Sequence, residues 1–151
     1  MSHARTSPFA SRLRVFALMA TIPAILPAGA GDRAVAEEPA AYVVEVNDVS
    51  AAVGEHGVML ATLRLRDGYR ILQAYNNRVI ALSSLDDGVA FDSRMVPATV
   101  QDGALVFAVG LRPTKPGKHP INGIFRVGYI QGTNEMSMVS LRLVANVTGT
   151  E

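Results

Sequence analysis

From Tyr42 onward apolar and polar residues alternate in short runs, and no long window repeats with the 3.6-residue period of an amphipathic helix. The pattern predicts strands at Tyr42 to Val46 and Val58 to Leu65. In the second, Met59, Ala61, Leu63 and Leu65 share one face, while Thr62, Arg64 and Arg66 share the other. Asp67-Gly68 follows as a turn. Further strands are expected at Val79 to Ser83, Val89 to Arg94 and Ala104 to Val109. Asp86-Asp87-Gly88 and Gln101-Asp102-Gly103 separate them, a spacing that suits a meander.

Pro113, Pro116, Gly117 and Pro120 predict a rigid crossover unsuited to a central strand, with final strands at about Asn122 to Gln131 and Met136 to Val147. In the last, Met136 and Met138 have one parity and Leu141, Leu143, Ala145 and Val147 the other, so a β-bulge is expected near Val139-Ser140. Seven or eight such strands with turns between them imply an all-β sandwich of two antiparallel sheets. The expected core comprises Val44, Val46, Leu63, Leu65, Phe107, Val109, Phe125, Val127, Leu141 and Leu143.

The segment before Tyr42 differs in kind. Arg5, Arg12 and Arg14 precede an apolar run from Val15 to Leu26, and small residues follow, which is the pattern of a cleavable export signal. Cleavage is expected after Ala30 or after Ala36, giving residues 1–36 as leader and 37–151 as one domain, periplasmic or secreted. The run is interrupted by Pro23 and falls short of the roughly 20 residues of a spanning helix, so no membrane span is expected after cleavage.

This division changes the meaning of the formal charge of +1. Four of the 14 basic residues but only one of the 13 acidic ones lie in the first 36, leaving 10 against 12, or −2. No basic run remains to suit nucleic acid. Cysteine is absent, which excludes disulfides, thiolate chemistry and a lipid-modified cysteine.

Familiar catalytic signatures are missing: there is no phosphate-binding Gly-rich loop, no His-x-x-x-His pair and no Gly-x-Ser-x-Gly elbow. His56 and His119 are expected at the surface, His56 at a hairpin tip, and Asp86-Asp87 as solvated turn residues. Met136-Ser137-Met138 is the constellation with a ligand reading, since alternate strand residues share a face and thioethers suit Cu(I). With His119 or Met95 beside them they would make a copper site; otherwise both methionines fill a core or a strand face.

The Pro-Gly crossover, the strand ending in Tyr129-Ile130-Gln131, the short polar stretch and the final alternating strand together resemble the periplasmic N-terminal domain of the DsbD thiol:disulfide interchange family. Leu63-Arg64-Leu65-Arg66-Asp67-Gly68-Tyr69-Arg70-Ile71 is similar to that family's strand followed by a Gly-Tyr turn. The resemblance runs from about Tyr42 to Val147 and implies an immunoglobulin-like sandwich. In the family two cysteines after the tyrosine-bearing strand relay electrons; the corresponding positions here, near Gly132 and Ser137, hold none. What the resemblance still implies is a partner-facing end built from Tyr69, Tyr129, Gly132, Thr133, Asn134 and Glu135. The expected function is therefore a non-enzymatic binding or accessory module for a periplasmic or envelope protein, with copper binding through Met136, Met138 and His119 as the alternative.

Overall fold

The computed structural model describes residues 40–151. The leader, with both candidate cleavage sites, lies outside the described residues. Eleven strands and no helix form the described part: β1 Tyr42–Val46, β2 Val49–Ala52, β3 Gly57–Leu65, β4 Tyr69–Ile71, β5 Arg78–Ser84, β6 Val89–Phe91, β7 Val96–Pro97, β8 Thr99–Gln101, β9 Ala104–Pro113, β10 Gly117–Gln131 and β11 Glu135–Thr150. No helix of the described residues is long and apolar enough to cross a membrane.

Two sheets pack face to face. One runs β1-β3-β9-β6, with β8 also on β9; the other runs β2-β11-β10-β5-β7, with β4 also on β10. This is the strand distribution of an immunoglobulin-like sandwich. The strands are not a meander, because the chain leaves one sheet after β5, joins the other at β6, returns to the first at β7 and crosses again at β8. Nor is every pair antiparallel, since β2 runs parallel to the end of β11. The sequence reading undercounts the strands because β2, β4, β7 and β8 have two to four residues each, too few to display a period.

Alternation places the core. Met59, Ala61 and Leu63 of β3 are buried while Val58, Leu60 and Arg64 face outward. Leu105, Phe107, Val109 and Leu111 of β9 face Ile121, Phe125 and Val127 of β10 and Leu143, Ala145 and Val147 of β11 across the sandwich. Phe107 and Phe125 meet edge to face, with ring centroids 5.1 Å apart. Of the expected core, Leu63, Phe107, Val109, Phe125, Val127 and Leu143 are fully buried, and Val44, Val46, Leu65 and Leu141 pack against them half-buried. Among the described residues the buried apolar side chains run from Ala41 to Val147.

Three expectations about β10 and β11 require correction. The crossover is not a long proline-rich connection: only Thr114, Lys115 and Pro116 link β9 to β10, and Pro120 lies within β10, a central strand. Pro120 is tolerated there because it stands at the end of the β5 ladder: its carbonyl accepts from Leu85 N–H just past β5, and proline forgoes only the return bond of that terminal pair. β11 has no bulge at Val139-Ser140; it pairs with β10 without a slip from Glu135 to Gly149. The parity change arises because Met136 and Met138 stand on the outer face while Ser137 and Val139 continue the inner row.

The bulge is instead in β5, where the register against β10 shifts between Asn122 and Ile124. Ala81 is the extra residue and takes a left-handed φ of 54°. Ala81→Gly is expected to raise stability by about 1 kcal/mol, because glycine escapes the Cβ–carbonyl crowding of that region. Phe107→Ala is expected to lower it by about 3–5 kcal/mol through loss of buried surface and a residual cavity. Urea unfolding of the two variants beside the parent checks both signs.

Candidate functional site

The partner-facing residues inferred from sequence converge at one end of the sandwich. Tyr129 extends the inward row of Phe125 and Val127 to the end of β10, where the sandwich opens and the ring is half-buried. β4 pairs there, with Tyr129 opposite Ile71 and Gln131 opposite Tyr69. The Tyr69 and Tyr129 rings meet edge to face at a centroid distance of 5.6 Å.

The turn of the β10–β11 hairpin is held to the same place. Gly132 N–H donates to the Gly68 carbonyl at 3.2 Å, and Arg70 Nη2 donates to the Thr133 carbonyl at 3.3 Å. Gly132, Thr133, Asn134 and Glu135 are all exposed. Two chain reversals distant in sequence, 66–69 and 131–135, thus form one continuous end surface.

Beside this end the two sheets separate around an open groove of about 600 Å³ lined by Leu65, Tyr69, Ile71, Gln73, Val100 and Ile130, among others. A second groove of about 420 Å³ shares Gln73 and Val100 and reaches Tyr75 and Pro97. Val100 is half exposed at the shared boundary. The larger groove is the more apolar of the two, and the polar groups lining them are amides, the Tyr69 and Tyr75 hydroxyls and the Arg70 guanidinium, so the end suits an apolar side chain flanked by hydrogen-bonding backbone.

Asn77 builds the wall between β4 and β5, a role the sequence reading misses. β4 and β5 lie along the same side of β10 with the loop 72–77 between them. Buried Asn77 fills the gap: its Oδ1 accepts from Gly128 N–H at 2.8 Å, and its Nδ2 donates to the carbonyls of Leu72 and Tyr75 at 3.2 Å. The Tyr75 ring covers Gly128 so closely that a Cβ there would lie 2.9 Å from it. An Asn in a polar loop gives no signal of such a duty, because the duty depends on the gap between two strands.

At the opposite end His119 departs from expectation. It is buried, not at the surface, and only 5% exposed. Nδ1 lies 2.7 Å from Asp86 Oδ2 and Nε2 lies 2.8 Å from the Lys115 carbonyl oxygen. Ser84 Oγ and Gly88 N–H both donate to Asp86 Oδ1, at 2.9 and 3.0 Å. Asp86 is thus more than a solvated turn residue. His119 also lies against Gly88, where any Cβ would collide with its ring.

The hydrogen bond from His119 is the main reason the Asp86 carboxyl is pushed down to about 2; partial burial opposes the shift, and Gly88 and Ser84 assist it. Asp86 therefore only accepts, as does the Lys115 carbonyl. A ring that donates from both nitrogens is an imidazolium, and the Asp86 bond, then the Lys115 bond, raise the His119 pKa against the effect of burial. The hydroxyl of Ser84 contacts the carboxylate and not the imidazole, so the cluster lacks a nucleophile-and-base contact and ties the β9–β10 connection to the 84–88 turn.

His119 is not near the methionines. It pairs with Val147, whereas Met136 pairs with Ile130 and Met138 with Gly128. From 119 to 130 the strand extends about 36 Å at roughly 3.3 Å per residue. The Met136, Met138 and His119 site is therefore not assembled, and both His119 nitrogens are already engaged. Met95 lies exposed between β6 and β7. His56 is exposed, just beyond the turn that joins β2 to β3, and bonds Asp92 through Nε2 at 2.7 Å.

No known protein-family model matches this chain, and no curated protein matches it.

The raised His119 pKa sets the sign of a pH effect. Its contribution to stability is complete below the ordinary histidine value and is lost as pH rises through the raised folded value. The Asp86 contribution is present above the ordinary aspartate range and is lost only as pH falls through about 2. Melting temperature is thus expected to decline from neutral into mildly alkaline pH, and His119→Gln, measured by thermal unfolding across that window, is expected to flatten the decline while lowering the melting temperature at pH 6.

Proposed function

We propose that this chain is an exported, non-enzymatic binding domain of the bacterial envelope that captures a protein partner with its Tyr69/Tyr129 end. The observation that carries the reading is the convergence of the two tyrosines, the 132–135 turn and the open apolar groove at one end of a rigid sandwich. Half-buried tyrosines supply large contact area at small entropic cost, and they are frequent anchors of protein interfaces. Loops displayed from a rigid sheet scaffold are the usual place for such contacts. The leader pattern supports export, and the resemblance to the DsbD N-terminal domain supports the choice of this end over the other. The absence of cysteine leaves binding, without electron relay, as the activity retained.

A photo-cross-linking amino acid placed at Thr133 in cells is expected to form a discrete adduct with one envelope protein, while the same group at Lys118, on the opposite end, is not. Tyr129→Ala and Asn134→Ala are each expected to reduce the adduct at least about tenfold, as removal of an anchor worth ~1.4 kcal/mol or more would. Asn134 is exposed, so its variant separates lost binding from lost folding. Equal adducts from both ends, or yields unchanged in both variants, would remove this surface from the proposal.

A further inference from the structure

β11 carries a second recognition feature, on its outer edge. β2 covers that edge only along Val147–Thr150. Immediately before it, Asn146 N–H donates to Asp48 Oδ1 at 3.1 Å. This bond fixes which residues point outward: the even-numbered ones turn their N–H and C=O away from β10. Among the described residues no strand pairs with the edge from Met136 to Val144.

The outward groups of that stretch belong to Met136, Met138, Ser140, Arg142 and Val144. The same residues stand on the outer face of the sheet, where Met136 is 67%, Met138 66% and Val144 60% exposed. Monomeric sheet proteins usually blunt such edges with lysine, proline or a bulge. Here the stretch has one charge, no proline and an unbroken register.

We propose that this edge pairs antiparallel with the same edge of a second copy, joining two sheets across a two-fold axis at Ser140. The ends of the free stretch set the register. On one side it stops at the 132–134 turn, and on the other at Asn146, already satisfied by Asp48. Full overlap of two such stretches places Met136 opposite Val144, Met138 opposite Arg142 and Ser140 opposite its own copy.

Each exposed apolar side chain then gains an apolar neighbour or the aliphatic stem of Arg142, whose guanidinium stays in water. Moving the axis to Arg142 sets two guanidinium groups directly opposite one another, which is unfavourable. Moving it to Met138 leaves Val144 beyond the pairing. The contact is isologous, as most two-fold dimers are, and it leaves the Tyr69/Tyr129 end outside the paired stretch.

The lack of cysteine permits a direct test. Residues directly opposite in a hydrogen-bonded antiparallel pair have Cα atoms about 5.5 Å apart, within disulfide range. Under mild oxidation Ser140→Cys is expected to yield a covalent homodimer. Met136→Cys alone is not, but an equimolar mixture of Met136→Cys and Val144→Cys is.

Sedimentation of the parent from low to high micromolar concentration is expected to show reversible dimerisation. Ser140→Pro is expected to weaken it at least about tenfold without disturbing the β10 ladder, because it removes only an outward N–H. A parent that stays monomeric over that range, a dimer that Ser140→Pro leaves unchanged, or Ser140→Cys adducts formed only with a foreign protein would each overturn pairing between copies.

Discussion

Fifteen residues of β10 pair without a break against fifteen of β11, and much of the molecule depends on that one register. A slip of one residue would turn Ile121, Phe125 and Val127 to the solvent and bring Arg126 and Ile124 to the core. The same strand carries His119 at its beginning and Tyr129 at its end, both in the inward row. One ladder thus positions the charged cluster, the hydrophobic centre and the aromatic end. On its other side β10 is served by two separate strands, β4 and β5, with Asn77 filling the interval.

The two ends of the sandwich differ in how they close. At the His119 end the connection between sheets is short and held by polar bonds: His119 to Asp86 and Lys115, Thr114 Oγ1 to the Asp87 carbonyl, and Thr114 N–H to the Gly88 carbonyl. A buried imidazolium is tolerable there because a carboxylate and a carbonyl satisfy both of its donors. At the Tyr129 end the sheets diverge, and aromatic rings cover the core without closing it. The closed end secures the fold, and the open end is the surface proposed above to take a partner.

The proposed capture at the open end and the proposed pairing along the β11 edge rest on different chemistry. The first depends on side chains in a groove, with aromatic anchors supplying area. The second depends on main-chain groups in a fixed register, with side chains selecting among registers. Because the paired stretch begins after the 132–134 turn, the readings can be true together, and neither requires the other.

The sequence by itself determined the strand-rich character of the chain, the inward rows of β3, β9 and β10, and the turn at Asp102-Gly103, whose φ values of 48° and 74° suit a two-residue hairpin. Those features are local: side-chain alternation and turn conformation are written in adjacent residues. The resemblance also implied that Tyr69, Tyr129 and 132–135 share one end, but not the edge-to-face contact of the two rings or the bonds from Gly132 and Arg70 that hold the turn there. Tertiary structure alone decided that His119 is buried, that Pro120 lies at the end of the β5 ladder, that Asn77 serves Gly128, and that Met136 and Met138 face outward far from any histidine of β10. Each of these depends on which strand lies alongside and where that strand ends, and residues distant in the chain fix both through the pairing of the sheets.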